Sequence, residues 1–360
     1  MAGITQKELA EKLNVSRSTV AAILSNTPKA RISPAVREAV LEAAKKYGYV
    51  ANRHAQIISG KKSGMIAILQ FSLHAQLPQV KVFHAATTIR NAGYEPLITN
   101  GLAFENSGES ICRHLSALRV EGVILVHPPL SFTQKDLDFL LKSNIPVVTL
   151  GGAHLRGITN FMSDKEQGFE ILASHLFEAG HRHLVLMVSA SEPATKKAFP
   201  WHQTNAARGF RKACAAYGQK GVLIEVPPGC VEEEVRDPYS PGYRGMEMVF
   251  KNGPLPDAVL CSNDDWALGA LRACTERGVR VPGDLAVTGF ENDPASGYGA
   301  VPLTTVEHPA KQMAEEGVSI LISIIRGDAL LEENLIILPC RLVIRRSCAL
   351  KPTADVASQP

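Results

Sequence analysis

The sequence predicts a small all-α helix-turn-helix head followed by an α/β body of two doubly wound parallel-sheet lobes. Three observations predict it. Helix start and stop signals crowd into the first fifty residues; short apolar runs alternate with helical patterns from Gly64 onward; and charge is divided unevenly between the two parts. From Met1 to Ser63 there are eleven Lys or Arg against four Glu, a net +7 within a whole-chain +3, which leaves −4 for the rest. A basic head on an acidic body is the footprint of a phosphate-binding module joined to a domain with a different task, although a solvated helical surface has the same composition. With 360 residues, 45% of them hydrophobic, the chain is long enough for two or three domains with full cores.

In the head, Thr5-Gln6-Lys7-Glu8 reads as a capping box, followed by Leu9, Ala10 and Leu13 on one helical face. Asn14 suits a left-handed turn, Val15 a buried turn position, and Ser16 the cap of a second helix from Arg17 to about Ser25. On that helix Val20, Ile23 and Leu24 form the inward stripe, leaving Arg17, Ser18, Ala21 and Ala22 outward. Helices this short are marginal alone, so a third must close the core. Ser33-Pro34 supplies its start, Val36, Val40, Leu41 and Ala44 its apolar face, and Gly48 its end. A helix-turn-helix reads the major groove with the N-terminal residues of its second helix, which singles out Arg17 and Ser18; a three-helix protein-interaction module is the alternative. Candidate DNA contacts in the head are Thr5, Ser16, Arg17, Ser18, Thr19, Asn26 and Arg31.

The run Tyr47-Gly48-Tyr49-Val50-Ala51-Asn52-Arg53-His54-Ala55-Gln56-Ile57-Ile58-Ser59-Gly60-Lys61 resembles the hinge of the lactose-repressor and purine-repressor (LacI/GalR) family. The resemblance implies a hinge helix over residues 51–63 that pairs with its dimer mate over the minor groove, with Asn52, Ala55 and Ile58 as DNA contacts. Ile58 would be an apolar wedge where the family usually has leucine; a plain linker helix ending at Gly60 is the alternative. Ala22 stands where many relatives carry a base-reading arginine.

In the body, candidate strands are Met65 to Leu69, Glu95 to Thr99, Gly122 to Val126, Pro146 to Leu150, His183 to Val188, Ala258 to Cys261 and Leu285 to Gly289. Helical stretches include Gln167 to Glu178, Ala206 to Tyr217, Trp266 to Glu276 and Met313 to Ile325. So many parallel units call for two sheets, with a ligand cleft at the carboxyl ends of strands in both lobes. The resemblance continues through Cys261-Ser262-Asn263-Asp264-Asp265-Trp266, Gly278 to Asn292, Pro302 to Val306 and Leu342 to Ser347, and it implies a periplasmic-binding-protein-like body. The expected domains are a head at 1–50, the hinge at 51–63, an effector-binding and dimerisation body at 64–350 and a tail at 351–360. The lobes are expected at 64–162 plus 291–325 and at 163–290 plus 326–350.

Carried over position by position, the family's effector site falls on Asn263, on Glu291 in place of an aspartate, and on Ala206 in place of an arginine, with Asn205 and Arg208 alongside. An asparagine amide donates and accepts. Losing the guanidinium removes a bidentate clamp, so the effector, a sugar or sugar derivative by the resemblance, need not be a familiar one. His74 and His127 follow the first and third body strands at ends that face the cleft, where a lone histidine is more often structural. Trp266 would stack on a ring or close the core; Trp201 and His202 are weaker candidates, and Val226 to Gly245 reads as a surface excursion.

No G-x-S-x-G, Walker loop or G-x-G-x-x-G after a strand is present, so an enzyme is not expected, nor a cofactor. The seven cysteines (112, 214, 230, 261, 274, 340, 348) show no C-x-x-C pair, which predicts neither a disulfide framework nor a metal site. No apolar run reaches membrane-spanning length, and Met1 leads into Thr5-Gln6-Lys7-Glu8 rather than a signal segment, so a cytoplasmic protein is expected. The expected protein is a homodimeric transcription regulator, a repressor by the resemblance, that binds a pseudo-palindromic DNA operator under control of a small-molecule effector. A solute-binding protein and a ligand-independent architectural DNA binder are the rivals.

Overall fold

The computed structural model describes residues 4–24, 32–49, 62–71, 76–101, 108–129, 132–152, 154–189, 201–227 and 237–348. Asn26, Arg31, Asn52, Ala55, Ile58 and His74 lie outside the described residues, as do Cys230 and the tail. The chain divides into two compact units, Met1–Ser63 and Gly64–Pro360.

The first unit holds α1 (Gln6–Lys12), α2 (Arg17–Leu24) and α3 (Pro34–Lys46). The Thr5–Glu8 capping box closes as the sequence predicts, with the Thr5 amide donating to the Glu8 carboxylate at 2.8 Å. Asn14 takes the left-handed conformation (φ 51°), which turns the chain into α2. There the Ser16 hydroxyl accepts from the Thr19 amide at 3.0 Å. Leu9, Ala10, Val20, Ile23, Val40 and Ala43 make the core. Leu41, expected inward, is 49% exposed and Ala43 is buried instead, because Val40 and Ala43 fall on the stripe that faces α1 and α2.

The second unit contains two parallel sheets. The first comprises β1 (Met65–Gln70), β2 (Glu95–Asn100), β3 (Gly122–Val126), β4 (Val147–Leu150), β5 (Thr159–Ser163) and a late strand, β11 (Asn334–Leu338), in the order β11-β5-β4-β3-β1-β2. Between these strands come α4 (Gln76–Asn91), α5 (Gly108–Ala117) and α6 (Gln134–Lys142). Alternate residues serve two cores. Ile66, Ile68, Ile124 and Val126 face one, and Ala67, Leu69, Val123 and Leu125 face the other. Strands buried on both faces read as continuous apolar runs, and for that reason they were legible in the sequence.

The second sheet is β7-β6-β8-β9, formed by β6 (Leu184–Ser189), β7 (Val222–Val226), β8 (Ala258–Cys261) and β9 (Ala286–Thr288), all parallel. Its helices are α7 (Lys165–Glu178), α8 (Trp201–Ala216), α9 (Ser240–Lys251), α10 (Asp264–Glu276) and the short α11 (Pro294–Tyr298). An antiparallel pair, β10 (Thr305–Glu307) with β12 (Arg341–Val343), extends this lobe through bridges Thr288↔Thr304 and Glu291↔Glu307. The remaining helix, α12 (Ala310–Arg326), buries Met313, Ala314, Val318, Leu321 and Ile322 in the first lobe's core. Gly317 permits close packing there, since a Cβ would lie 2.6 Å from Leu150.

The lobe boundaries therefore differ from those expected. Residues 291–307 stay with the second lobe, and strand 334–338 returns to the first by pairing with β5. The segment 291–307 is held by buried polar bonds that leave no hydrophobic period. In turn, β11 is an edge strand whose Leu335 and Ile337 are exposed, so it lacks the pattern of a covered strand. The chain thus crosses between lobes after β5, after β10 and after β11.

Candidate functional site

The parallel strands of each lobe end toward segments that carry most of the body's buried ionisable groups. From the first lobe come Lys81, on α4, and His127, directly after β3. Lys81 sits on the same helical stripe as Val82, Ala85 and Ile89 and is 1% exposed. Its ammonium lies 2.7 Å from His127 Nε2 and donates to the Leu150 carbonyl at 3.2 Å. Gly151, after β4, presses against this pair: a Cβ there would lie 3.0 Å from Lys81 Nζ and 3.2 Å from the His127 ring. With φ +82° as well, only glycine suits the position. Burial brings the Lys81 amine down from 10.5 to about 7, the neighbouring Lys165 lowering it further and Glu291 opposing the shift.

The second lobe contributes Lys165, which opens α7, Glu291, which follows β9, and His308, in the segment that crosses to α12. Phe290 floors this side, stacked on Phe169 (ring centroids 4.6 Å apart) and edge-on to His308 at 5.1 Å. Lys165 Nζ lies 5.5 Å above the Phe290 ring. Glu291 is half-buried at the base of the cleft, and desolvation pushes its carboxyl up to about 8 despite the attraction of Lys165. Its backbone has φ 113° and that of His127 φ 51°, conformations that cost non-glycine residues roughly 1–3 kcal/mol each and gather at functional sites. His308 is 5% exposed, and neither ring nitrogen finds a hydrogen-bond partner among the described residues. Burial first, then Lys165, Lys81 and His127, hold its pKa well below the ordinary histidine value, so it is a neutral imidazole among cations.

Beneath Glu291 lies a buried polar knot. Asp264 is fully buried, and its carboxylate accepts from the Asp293 amide at 2.7 Å and the Thr305 hydroxyl at 2.6 Å. Burial raises its pKa to about 6 and that of Asp293 to about 7. Gly289 is fitted to this knot, since a Cβ would stand 2.0 Å from Asp264 Oδ1. Arg345 ties the outer side, donating to Asn292 Oδ1 at 2.6 Å and to the Leu303 carbonyl at 2.8 Å. The knot fixes the turn that presents Glu291.

The sequence-chosen residues divide as follows. His127 and Glu291 meet the cleft's charged cluster. Asn263 sits at the end of β8, where its Oδ1 accepts from the Trp266 amide at 2.8 Å as the cap of α10. Trp266 packs, half-buried, at the margin of the second lobe's core. Asn205 is buried on α8, and its oxygen accepts from Arg208, whose guanidinium also pairs with Glu166 at 2.8 Å. In the head, Thr5, Ser16, Arg17 and Ser18 are exposed and Thr19 is half-buried, with Arg17 and Ser18 at the start of α2. Sequence reasoning missed Lys81, Lys165 and His308. A lysine inside the apolar stripe of α4 was the available signal for the first.

A second concavity of about 560 Å³ between α9 and α10 is lined by Tyr239, Tyr243, Arg272 and Glu276, but its polar groups answer one another: Tyr243 donates to Glu276 at 2.7 Å. Among the described residues no cluster of His, Cys, Asp or Glu could hold a metal ion, and no helix is long and apolar enough to cross a membrane. The six described cysteines are buried thiols.

Comparison with known proteins agrees with this architecture. Residues 1–43 match a helix-turn-helix model and residues 173–348 a periplasmic binding protein-like domain. The lactose operon repressor of Escherichia coli (strain K12) is 26% identical, across 99% of this chain and 94% of its own. The HTH-type transcriptional repressor PurR of Haemophilus influenzae (strain PittEE) is 27% identical, across 95% and 98%. A probable HTH-type transcriptional repressor, ExuR of Bacillus subtilis (strain 168), is 27% identical across 89% and 92%. The fold matches the lac repressor dimer bound to operator and the anti-inducer ONPF (24% identity, TM-score 0.79, 97% and 100% covered). It also matches the transcriptional regulator CelR in complex with cellobiose (22%, 0.64, 96% and 99%). Head, two-lobed body and full-length similarity agree: along nearly its whole length the chain is similar to the lactose-repressor and purine-repressor transcription regulators.

Proposed function

We propose that this protein is a transcription regulator, a repressor by kinship, that acts in the cytoplasm as a homodimer on a pseudo-palindromic operator and is governed by a small molecule held between its lobes. The observation that carries the reading is a strained, ionisable cleft at the carboxyl ends of two sets of parallel strands, on the same chain as a basic helix-turn-helix head. Arg17 and Ser18, exposed at the start of α2, read base edges; the head's excess of Lys and Arg neutralises phosphates. The family resemblance assigns the hinge to residues 51–63, with Asn52, Ala55 and Ile58, which lie outside the described residues, as its DNA contacts. Three chain crossings join the lobes, so a ligand that binds both walls favours one angle between them. Differential affinity for two lobe angles is what couples effector to DNA.

Selection of duplexes from a random pool by the full-length protein tests the reading. Enrichment of a two-fold symmetric sequence is expected; recovery of unselected sequence, with and without a metabolite panel, refutes it.

A further inference from the structure

We infer that the effector is a hydroxylated carboxylic acid, its carboxylate held by Lys165 and Lys81 from opposite walls of the cleft beside His308 and its hydroxyls turned toward Glu291. This deepens the proposed function and rests on it.

Counting partners carries the inference. Lys81 spends donors on His127 and the Leu150 carbonyl, but Lys165 makes no hydrogen bond to any described residue and hovers above the face of Phe290. His308 is more than nine-tenths buried, and among the described residues neither ring nitrogen has a hydrogen-bond partner. Buried donors and acceptors without partners are costly, and a ligand that pairs with them offsets that cost.

The charges give the sign. Lys165, Lys81 and His127 all act on His308, and Lys165 acts on Lys81. Among the nearby groups opposing them, Glu291 is mostly protonated at neutral pH and the Cys340 thiol is raised to about 12 and stays neutral. Of the deeper carboxyl groups, Asp264 accepts from the Asp293 amide and the Thr305 hydroxyl, while burial raises Asp293 to about 7 and lifts Asp265 as well. Two ammonium groups therefore converge on a space with too little negative charge of its own, which a carboxylate supplies through charge-assisted bonds. A neutral sugar leaves that deficit in place.

The pH dependence has one direction. As pH rises from 6 to 9, Lys81 loses its proton and Glu291 gains a charge, while His308 stays neutral and Lys165, its pKa lowered by burial, can only lose charge. Each change weakens affinity for an anion.

Calorimetric titration of the full-length protein with D-gluconate, D-glucuronate and D-galacturonate, and with D-glucose and D-galactose as neutral parents, tests this. At least one acid binds at pH 6, more tightly than its parent and more tightly than at pH 9. Lys165→Gln weakens it by about ten- to a hundredfold, the worth of a charge-assisted hydrogen bond, and Lys165→Arg recovers most of the loss. Melting curves of both variants verify folding. Binding of a neutral parent at least as tightly, equal affinity at the two pH values, an unaffected Lys165→Gln variant, or no binding by any acid overturns the inference. Duplex selection reads the DNA-binding function separately, so these failures leave that function standing.

Discussion

Lys81→Met should stabilise the protein at pH 6 and abolish effector response. Burial takes the Lys81 pKa from 10.5 to about 7, a shift worth about 5 kcal/mol at 1.36 kcal/mol per unit. Because the folded value is depressed, the unfolded chain holds the extra proton between pH 7 and 10.5, and stability rises with pH across that window. Below pH 7 the full penalty of a buried ammonium is present. Methionine fills a similar volume without the charge and forfeits the bonds to His127 and Leu150, together worth about 1–3 kcal/mol. The net gain at pH 6 is about 2–4 kcal/mol, and the difference between variant and wild type falls by about 3 kcal/mol by pH 9, to near zero, as the wild type sheds its own proton. Thermal or urea unfolding of the full chain at both pH values measures it. A variant less stable than wild type at pH 6, or a difference independent of pH, would refute the burial argument.

Gly289→Ala places a methyl group against Asp264 Oδ1 and should cost about 1–3 kcal/mol of stability, typical of overpacking, which urea unfolding reads; an unchanged midpoint would mean the knot yields freely. Arg17→Ala should flatten sequence preference at one position of each half-site, by roughly 1–3 kcal/mol per base pair, in a duplex-selection assay. Unaltered selection would remove Arg17 from the base-reading set. Ile58→Gly should weaken operator binding far more than binding to random duplex, and equal losses would reject a wedge at that position.

The head was legible nearly residue by residue because its signals are local. Thr5 and Glu8 form a box, Asn14 turns the chain, and Ser33-Pro34 opens α3, each needing only neighbours within a few positions. The central strands were legible because both faces are covered. By contrast β5 escaped notice: Thr159 and Asn160 interrupt its apolar run, although Asn160 is fully satisfied inside by Thr149, Leu155 and Ile158. In the cleft, His127 was reachable from its place after a strand and Glu291 from family resemblance. Lys165 and His308 were not, since their meaning comes from crossings between lobes that bring residues 81, 165, 291 and 308 together.

The central claim is that cleft and operator are linked, and linkage is reciprocal. The direct measurement is the affinity of the full-length protein for its effector with and without saturating selected duplex, beside the affinity for duplex with and without saturating effector. Both ratios are expected to depart from one by the same factor, about fivefold or more. Two ratios equal to one, with both ligands bound, would contradict it.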